Sequence, residues 1–344
     1  MNNQLNTKKE YSLVTIVLFS VCLLLVLSIV TLCVGRYPVH PITSIKILVN
    51  EIIPLTVTWS ETEYNVIMKL RLPRLIAAIL VGSAFALSGA TYQGMFRNPL
   101  VSPDLLGVSS GASVGAAAAI MLSYGNLGVQ VFAFIGGIIA VLITISIPAL
   151  MRKSSTILLV LAGVIVSGFM NSVIGLMKYL ADPETELADI TYWMLGSISK
   201  VNMETIKTIG PVILIVGFIT ILIRWRINIL SLGEKEAKTM GANLKFERGV
   251  AIFCATILTA SAVCISGTVG WIGLVIPHLS RMLVGSDHAR SIPVTAIIGA
   301  CFLLVVDTLA RSITGGELPL GILTGFIGAP FFAWILINRR MDAE

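Results

Sequence analysis

The stretch RLPRLIAAILVGSAFALSGATYQGMFRNPLVSPDLLG occupies residues 71–107 and decides the fold of this chain. No charged residue lies between Arg74 and Arg97. That uncharged run covers the roughly 20 residues that a helix needs to cross a bilayer. The stretch therefore predicts a transmembrane helix over 70–92 that begins beside two arginines.

The composition extends this prediction to the whole chain. Of the 344 residues, 56% are hydrophobic and 12% are charged, about half the charged share of an ordinary soluble domain. We therefore expect one all-α, polytopic transmembrane domain over residues 1–344, which lies in the cell membrane and contacts lipid. About ten spans fit the pattern: 12–34, 70–92, 106–122, 128–150, 156–180, 205–223, 249–268, 271–284, 291–311 and 319–338.

The basic residues predict an orientation. With the N-terminus inside and ten crossings, 15 of the 24 Lys and Arg residues fall on the inner side. Cytoplasmic loops attract such residues, so both termini are predicted to be cytoplasmic. The same rule accounts for the net charge of +6 without a nucleic-acid partner. The first apolar run is too long for a signal peptide and predicts a retained span.

Several chemistries find no support in the sequence. The five cysteines form no CxxC pair and the three histidines are isolated, so no metal site is predicted. No Gly-Lys dipeptide occurs, so the chain carries no P-loop for ATP. We expect neither a bound cofactor nor a catalytic site, and no enzymatic activity of its own.

Small residues recur at helical spacing. One row is Gly82, Ala86 and Ala90, and glycine pairs at 111 and 115 and at 321 and 325 form two others. Such rows let helix backbones approach closely. They favour packing within the chain, and a subunit interface remains the alternative.

Three arginines are predicted on the outer side, against the general charge bias: Arg71, Arg74 and Arg311. Arginine suits bidentate contacts with carboxylates, although side chains that snorkel to the interface have the same spacing. Asp307 lies within a predicted span, where an ionisable residue is a functional candidate. An i,i+4 ion pair with Arg311 would also account for it.

A polar segment on the outer side predicts a short helix. Asp182-Pro183 is a typical helix start, and a helix over 184–195 follows, within a candidate gate at about 183–198. A plain connecting helix is the alternative. Polar residues on span 156–180 and in this segment are candidates for a pathway and its gate: Ser167, Asn171, Ser172, Asp182 and Trp193.

The longest predicted inner loop, about 228–248, contains a second short helix over 232–240. Ser231 and Glu234 form a capping-box pattern, and Gly241 stands where a left-handed C-terminal cap would lie. The mixed charges suit either a docking surface or a solvated loop. Candidate coupling residues are Ser231, Gly233, Glu234, Glu236, Ala237 and Gly241.

Three motifs in this order resemble the permeases of iron-siderophore, haem and cobalamin ABC importers, the FecCD type. The first runs from Arg71-Leu-Pro-Arg74 through Gly82, Ser88-Gly89, Gln93, Asn98-Pro99-Leu100 and Pro103 to Leu106-Gly107; the second is Gly270-Trp-Ile-Gly273-Leu-Val-Ile-Pro277-His278-Leu-Ser-Arg281; the third runs from Glu317-Leu-Pro319-Leu-Gly321 to Gly328-Ala-Pro330-Phe331. The resemblance covers nearly all of the chain from about residue 65.

The resemblance implies a ten-span subunit that works as a dimer with a second copy or a paralogue. It also implies two cytoplasmic ATPase subunits, which hydrolyse ATP in trans, and an extracytoplasmic binding protein. Arg71, Arg74 and Arg311 match positions that receive acidic side chains of the binding protein. The loop 230–241 matches the ATPase-coupling helices, and span 156–180 with the following helix matches the pathway and gate.

The leading hypothesis is thus an importer permease for a metal chelate, with an iron-siderophore favoured over haem or cobalamin. The alternative is an ion-coupled secondary transporter that uses Asp307 as its ion site. Such a transporter needs no docking helix at 230–245. A membrane scaffold without transport is a third, weaker reading.

Overall fold

The computed structural model describes residues 12–35, 37–151 and 156–341 and is built of helices, with no strand in these ranges. The helices are α1 Leu13–Cys33, α2 Pro41–Asn50, α3 Glu61–Asn65, α4 Leu72–Phe96, α5 Val108–Met121, α6 Asn126–Leu150, α7 Thr156–Leu180, α8 Glu186–Leu195, α9 Met203–Leu222, α10 Arg224–Leu232, α11 Glu234–Thr239, α12 Leu244–Ser266, α13 Ile272–Val284, α14 His288–Ser312 and α15 Leu320–Met341. The predicted all-α transmembrane bundle is confirmed.

Each predicted span corresponds to a helix, but the helices differ in length. Within the described residues, seven are long and apolar enough to cross a membrane. Two predicted spans, 106–122 and 271–284, correspond to the shorter apolar helices α5 and α13, and the predicted span 319–338 corresponds to α15, of which Leu320–Ile335 counts as a shorter apolar segment. At 1.5 Å per residue, the 14 residues of α5 extend about 21 Å, less than the hydrocarbon core.

The predicted second span is longer than expected at both ends. A turn of π-helix at Val66–Arg71 joins α3 to α4, which gives one helical unit from Glu61 to Phe96. The structure has no helix boundary at the predicted residue 70, because neither Pro73 nor the arginines interrupt the helix. Proline is accepted there because it lies in the first turn of α4.

Helix α4 forms the centre of the bundle. It packs against α14, α12, α13 and α9, and 83% of its most apolar window is buried, against 6% for α1. Hydrophobic burial among these helices builds the main core. The helix that carries the deciding motif is therefore surrounded by protein, while α1 faces outward.

The small-residue rows pack within the chain. Gly82 of α4 meets the backbone of Gly299 on α14, Gly111 and Gly115 of α5 meet the backbone of α6, and Gly321 meets the carbonyl oxygen of Leu195. Backbones that approach this closely favour small residues. The intrachain interpretation accounts for these contacts.

The bundle has two chemically different ends, at opposite ends of α4. Arg71 and Arg74 lie at its start, and we call this side the arginine end. Arg97 lies at its finish, where its Nη1 is 3.0 Å from the place a Cβ on Gly233 would take. Gly233 immediately precedes α11, so we call this side the α11 end. The 25 residues of α4 separate the two ends by about 37 Å.

Two local predictions need correction. Ser231 does not cap the short inner helix, because its hydroxyl donates to the carbonyl oxygen of Asn228 and α11 starts only after Gly233. The helix expected over 232–240 is therefore divided between α10 and α11. The helix expected from residue 184 begins at Glu186, because Asp182 and the next three residues form a capped turn.

Candidate functional site

A cluster of charged side chains lies at the arginine end. Arg74 is its centre: its Nε donates to Oδ1 of Asp307 at 2.7 Å, and its Nη1 donates to both carboxylate oxygens of Glu317 at 2.8 and 2.9 Å. Asp307 is fully buried, whereas the side chain of Glu317 is 38% exposed. Charge-assisted bonds of this kind are the strong ones among hydrogen bonds.

The other two arginines turn toward the end of α1. Arg71 donates to the carbonyl oxygens of Leu32, Cys33 and Tyr37. Arg311 donates to the carbonyl oxygen of Thr31. The carbonyls of Thr31, Leu32 and Cys33 lie at the C-terminus of α1, where the negative end of the helix dipole favours cations. Together the three arginines join α1, α4 and α14, and all three are buried.

The structure changes the expected partner of Asp307. The i,i+4 contact from Arg311 to Asp307 is long, at 3.8 Å between Nε and Oδ2. The contact from Arg74 Nε to Oδ1 is much shorter, at 2.7 Å. With three arginines and two carboxylates, the cluster keeps an excess of one positive charge. A carboxylate held in this way by two arginines is poorly suited to bind and release a transported cation.

A cavity of about 730 Å³ opens beside this cluster. Glu317 joins the two features, because it contacts Arg74 and also lines the cavity. The charged lining residues are Glu186, Asp189, Glu317 and Lys200, and the aromatic ones are Tyr124, Tyr192 and Trp193. The volume lies in the range of small-molecule sites.

Helix α8 forms one wall of the cavity and is held at both ends. Oδ1 of Asp182 accepts bonds from the backbone of Glu184 at 2.9 Å and from the hydroxyl and backbone of Thr185 at 3.0 Å. These bonds, the Thr185 hydroxyl first, hold the pKa of Asp182 below its usual range. At the other end, Ser197 N–H donates to Ser266 and Leu320 N–H to Gly196.

The predicted pathway residues do not come together in one place. Trp193 lines the cavity, but no residue of α7 does so. Asn171 and Ser172 lie on an exposed face of α7 beside Gly168 and Gly175, where an added Cβ would meet nothing. Ser167 instead packs against Gly107, since a Cβ there would lie 3.1 Å from its hydroxyl oxygen.

The α11 end presents short, charged helices. Arg248 Nη2 on α12 donates to Oε1 of Glu234 at 2.8 Å, and this bond lowers the pKa of Glu234. Ala237 is fully buried against Ile229 and Ala242, so it anchors α11. Glu236 lies beside Gly233, and Gly241 ends the helix at φ +78°. The predicted left-handed C-terminal cap is therefore present.

Sequence reasoning missed some connecting residues. Glu317 gave no signal as a partner of Arg74, because the two lie 243 positions apart. Gln93 links α4 to α13, since it donates to Gly273 at 3.1 Å and accepts from Arg281 at 2.7 Å. Asn228 accepts from the backbone of His288 at 3.1 Å and so ties α10 to α14. Such pairs have no local spacing pattern from which they could be found.

These features define a class: a multi-pass helical membrane protein with a charged, cavity-bearing end and an end that presents short helices. The chain belongs to the FecCD transport family, whose model matches residues 23–338. It is 38% identical over 325 residues to the molybdate import permease MolB of Haemophilus influenzae, covering 94% of this chain and 96% of that protein. The probable iron chelatin permease of Helicobacter pylori is 41% identical over 278 residues, covering 80% and 83%.

A solved structure supports the same assignment. A metal-chelate type ABC transporter in an inward-facing conformation matches with a TM-score of 0.85 and 36% identity, covering 94% of this chain and 99% of that one. The chain is therefore the permease subunit of an ABC importer in the cell membrane. The predicted family and location are confirmed.

Proposed function

We propose that this permease forms the translocation pathway for a metal chelate, with an iron-siderophore as cargo, and works as a dimer with a second copy or paralogue. ATP is hydrolysed in trans by two cytoplasmic ATPase subunits, and an extracytoplasmic binding protein delivers the cargo. The arrangement that carries the proposal is the pair of opposed ends on α4. One bears a charged cluster beside a cavity, and the other bears α10 and α11.

The α11 end suits an ATPase partner. The segment 230–241 is held to the bundle by the buried Ala237 and by the Arg248–Glu234 bond. The polar residues of α11 remain exposed beside these anchors. A short helix fixed on one face and free on the other can transmit a rigid displacement from a partner to the bundle.

Gly241→Pro is expected to uncouple ATP hydrolysis from uptake. Its φ of +78° lies far from the −65° that proline requires, and its N–H donates to the carbonyl oxygen of Lys238. In proteoliposomes that contain the complete importer, cargo-stimulated ATPase activity should fall toward the unstimulated level. Gly241→Asn is the matched control, since asparagine tolerates the left-handed conformation. Normal stimulation in the proline variant would remove the segment from the coupling surface.

The arginine end suits an acidic binding protein. The surplus positive charge of the cluster attracts carboxylates, although Arg71, Arg74 and Arg311 are buried by their own chain. Charge reversal of these arginines would therefore damage the fold as well as docking. Glu317 offers a cleaner test, because its side chain is partly exposed and Arg74 keeps its bond to Asp307 without it.

Glu317→Gln is expected to tighten docking of the binding protein several-fold at low ionic strength. The substitution removes one negative charge beside Arg74 and raises the surplus of the cluster to two positive charges. The gain should vanish at high salt, because exposed charges are then screened. Biolayer interferometry on nanodiscs at two salt concentrations measures it. Equal affinities of wild type and variant at low salt would mean that the cluster does not contact the binding protein.

The cavity supports a chelate over a free oxyanion as cargo. Apart from Glu317, which is paired with Arg74, the charged side chains of its lining are Glu186, Asp189 and Lys200, a set that offers an oxyanion one cation beside two carboxylates. Its volume exceeds what a four-oxygen anion fills, and its three aromatic side chains suit an organic ligand. The argument for a chelate rests on the residues of this cavity, because the relatives are named for several different cargoes.

Uptake by the reconstituted importer tests the cargo. Permease, ATPase and binding protein are placed in proteoliposomes with either ⁵⁵Fe-ferrioxamine B, a cationic ferric chelate, or ⁹⁹Mo-molybdate. We expect ATP-dependent accumulation of the iron chelate and no accumulation of molybdate above protein-free vesicles. Accumulation of molybdate alone would overturn the chelate assignment and leave the permease function intact.

A further inference from the structure

The segment that follows α1 presents an unusual apolar surface at the arginine end. Helix α2 and the loop 51–60 expose large hydrophobic side chains, and Ile52 is 84% exposed. We call this surface the apolar patch, and its members are Ile42, Ile45, Ile52, Ile53 and Val57. Groups of large apolar side chains exposed within one short segment are rare on surfaces that face water and indicate an interaction site.

The patch belongs to an ordered unit. Beneath it, Val39, Ile47 and Ile67 are buried together, and Trp59 and Tyr64 pack against them. His40 caps the N-terminus of α2, and the hydroxyl of Tyr64 donates to Glu51 at 3.0 Å. The unit thus has its own small core, yet a second set of its apolar side chains stays exposed. Packing within the chain does not bury this second set.

The depth of the unit follows from α1. With 21 residues, α1 is about 31 Å long, which matches the hydrocarbon core of a bilayer. Its last residue, Cys33, therefore lies near the hydrocarbon boundary. Cys33 Sγ contacts the hydroxyl of Ser44 on α2 at 3.8 Å. The N–H of Val39 donates to the carbonyl oxygen of Cys33 at 3.5 Å. Helix α2 is thereby held in the headgroup layer.

We propose that α2 and the loop 51–57 form an interfacial anchor, whose apolar patch is inserted among the lipids of the leaflet at the arginine end. Helix α2 packs against α1, whose most apolar window is only 6% buried by the chain and so faces lipid. Lys46 is exposed on the same helix and suits lipid phosphate. An amphipathic helix with apolar residues on one face and a basic residue beside them is typical of such anchors. The proposal does not depend on the cargo or on the binding protein.

Spin-label accessibility in nanodiscs tests the anchor. In the permease, Cys22 is replaced by Ala and Cys33 by Ser, which keeps a hydroxyl beside Ser44. A single nitroxide is then introduced through Ile45→Cys or Ile52→Cys. The matched control is Glu61→Cys on α3, which is exposed but lies outside the patch. We expect labels at 45 and 52 to be several-fold more accessible to oxygen than to a water-soluble nickel chelate, and the label at 61 to show the reverse.

Two results would overturn the anchor. Nickel accessibility at 45 and 52 equal to that at 61 would place the patch in water, free for a soluble protein. Protection from both reagents would instead indicate that a second copy of the chain covers it.

Discussion

Gly89→Ala is expected to destabilise the permease by about 2–3 kcal/mol or more, because it forces two central helices apart. A Cβ at this position would lie 2.6 Å from the carbonyl carbon and 2.7 Å from the Cα of Gly273, and closer still to the carbonyl oxygen. These neighbours are backbone atoms, so no side chain can rotate away. Helix α4 is surrounded by α12, α13 and α14 and has little room to shift.

The expected readout is a fall of about 5 °C or more in the melting temperature of the detergent-purified protein. Gly168→Ala is the matched control, because it is the same chemical change in a membrane helix and an added Cβ there meets nothing within 4 Å. Alanine favours helix over glycine, so the control should melt at or slightly above the wild-type temperature. Similar melting of the two variants would contradict the close approach of α4 and α13.

This contrast shows what the sequence could predict about the fold. Both glycines lie in apolar runs, and the row at Gly82, Ala86 and Ala90 correctly indicated a face of close approach on α4. The pattern did not name the partner, because small residues face Gly299 on one side and Gly273 on another. The spacing of small residues predicts which face of a helix packs closely, whereas tertiary packing determines which helix lies against that face.

The backbone that leads into the short helices was harder to predict. Hydropathy located α5 and α13 as short spans at 106–122 and 271–284, but not the turns that precede them. Before α13, Gly267 fits against the carbonyl oxygen of Trp193 and Trp271 has a positive φ. Such backbone is tolerated at membrane depth where protein buries it. A hydropathy window averages over these breaks.

The residues of the candidate site were predictable from the sequence, but their contacts with one another were not. Arginines against the charge bias correctly pointed to Arg71, Arg74 and Arg311 as a group. Their contacts with α1 carbonyls and with Glu317 depend on helix neighbours that no spacing reveals. The sequence therefore suggested outward-facing side chains, while burial makes the same residues part of the structural core of this end.

Arg74→Ala is accordingly expected to be among the most damaging single changes in the protein. It leaves Asp307 fully buried with Arg311 no nearer than 3.8 Å, and it removes both bonds to Glu317. Loss of one partner from a buried ion pair typically costs about 3–5 kcal/mol, since an uncompensated charge remains. The melting temperature should fall by about 6 °C or more, and the end of α14 should exchange amide hydrogens faster.

A double-mutant cycle separates this cause from lost packing. Asp307→Asn removes the buried charge, so the combination with Arg74→Ala should be more stable than Arg74→Ala alone, and the coupling energy should exceed about 1 kcal/mol. Arg224→Ala is the control: Arg224 is exposed on α10, so the loss should stay below about 1 kcal/mol. Equal losses of stability in the two arginine variants would contradict a stabilising role for the Arg74–Asp307 pair. Rescue of Arg74→Ala by Asp307→Asn would instead show that charge holds α4 to α14 at the end where the binding protein is proposed to dock.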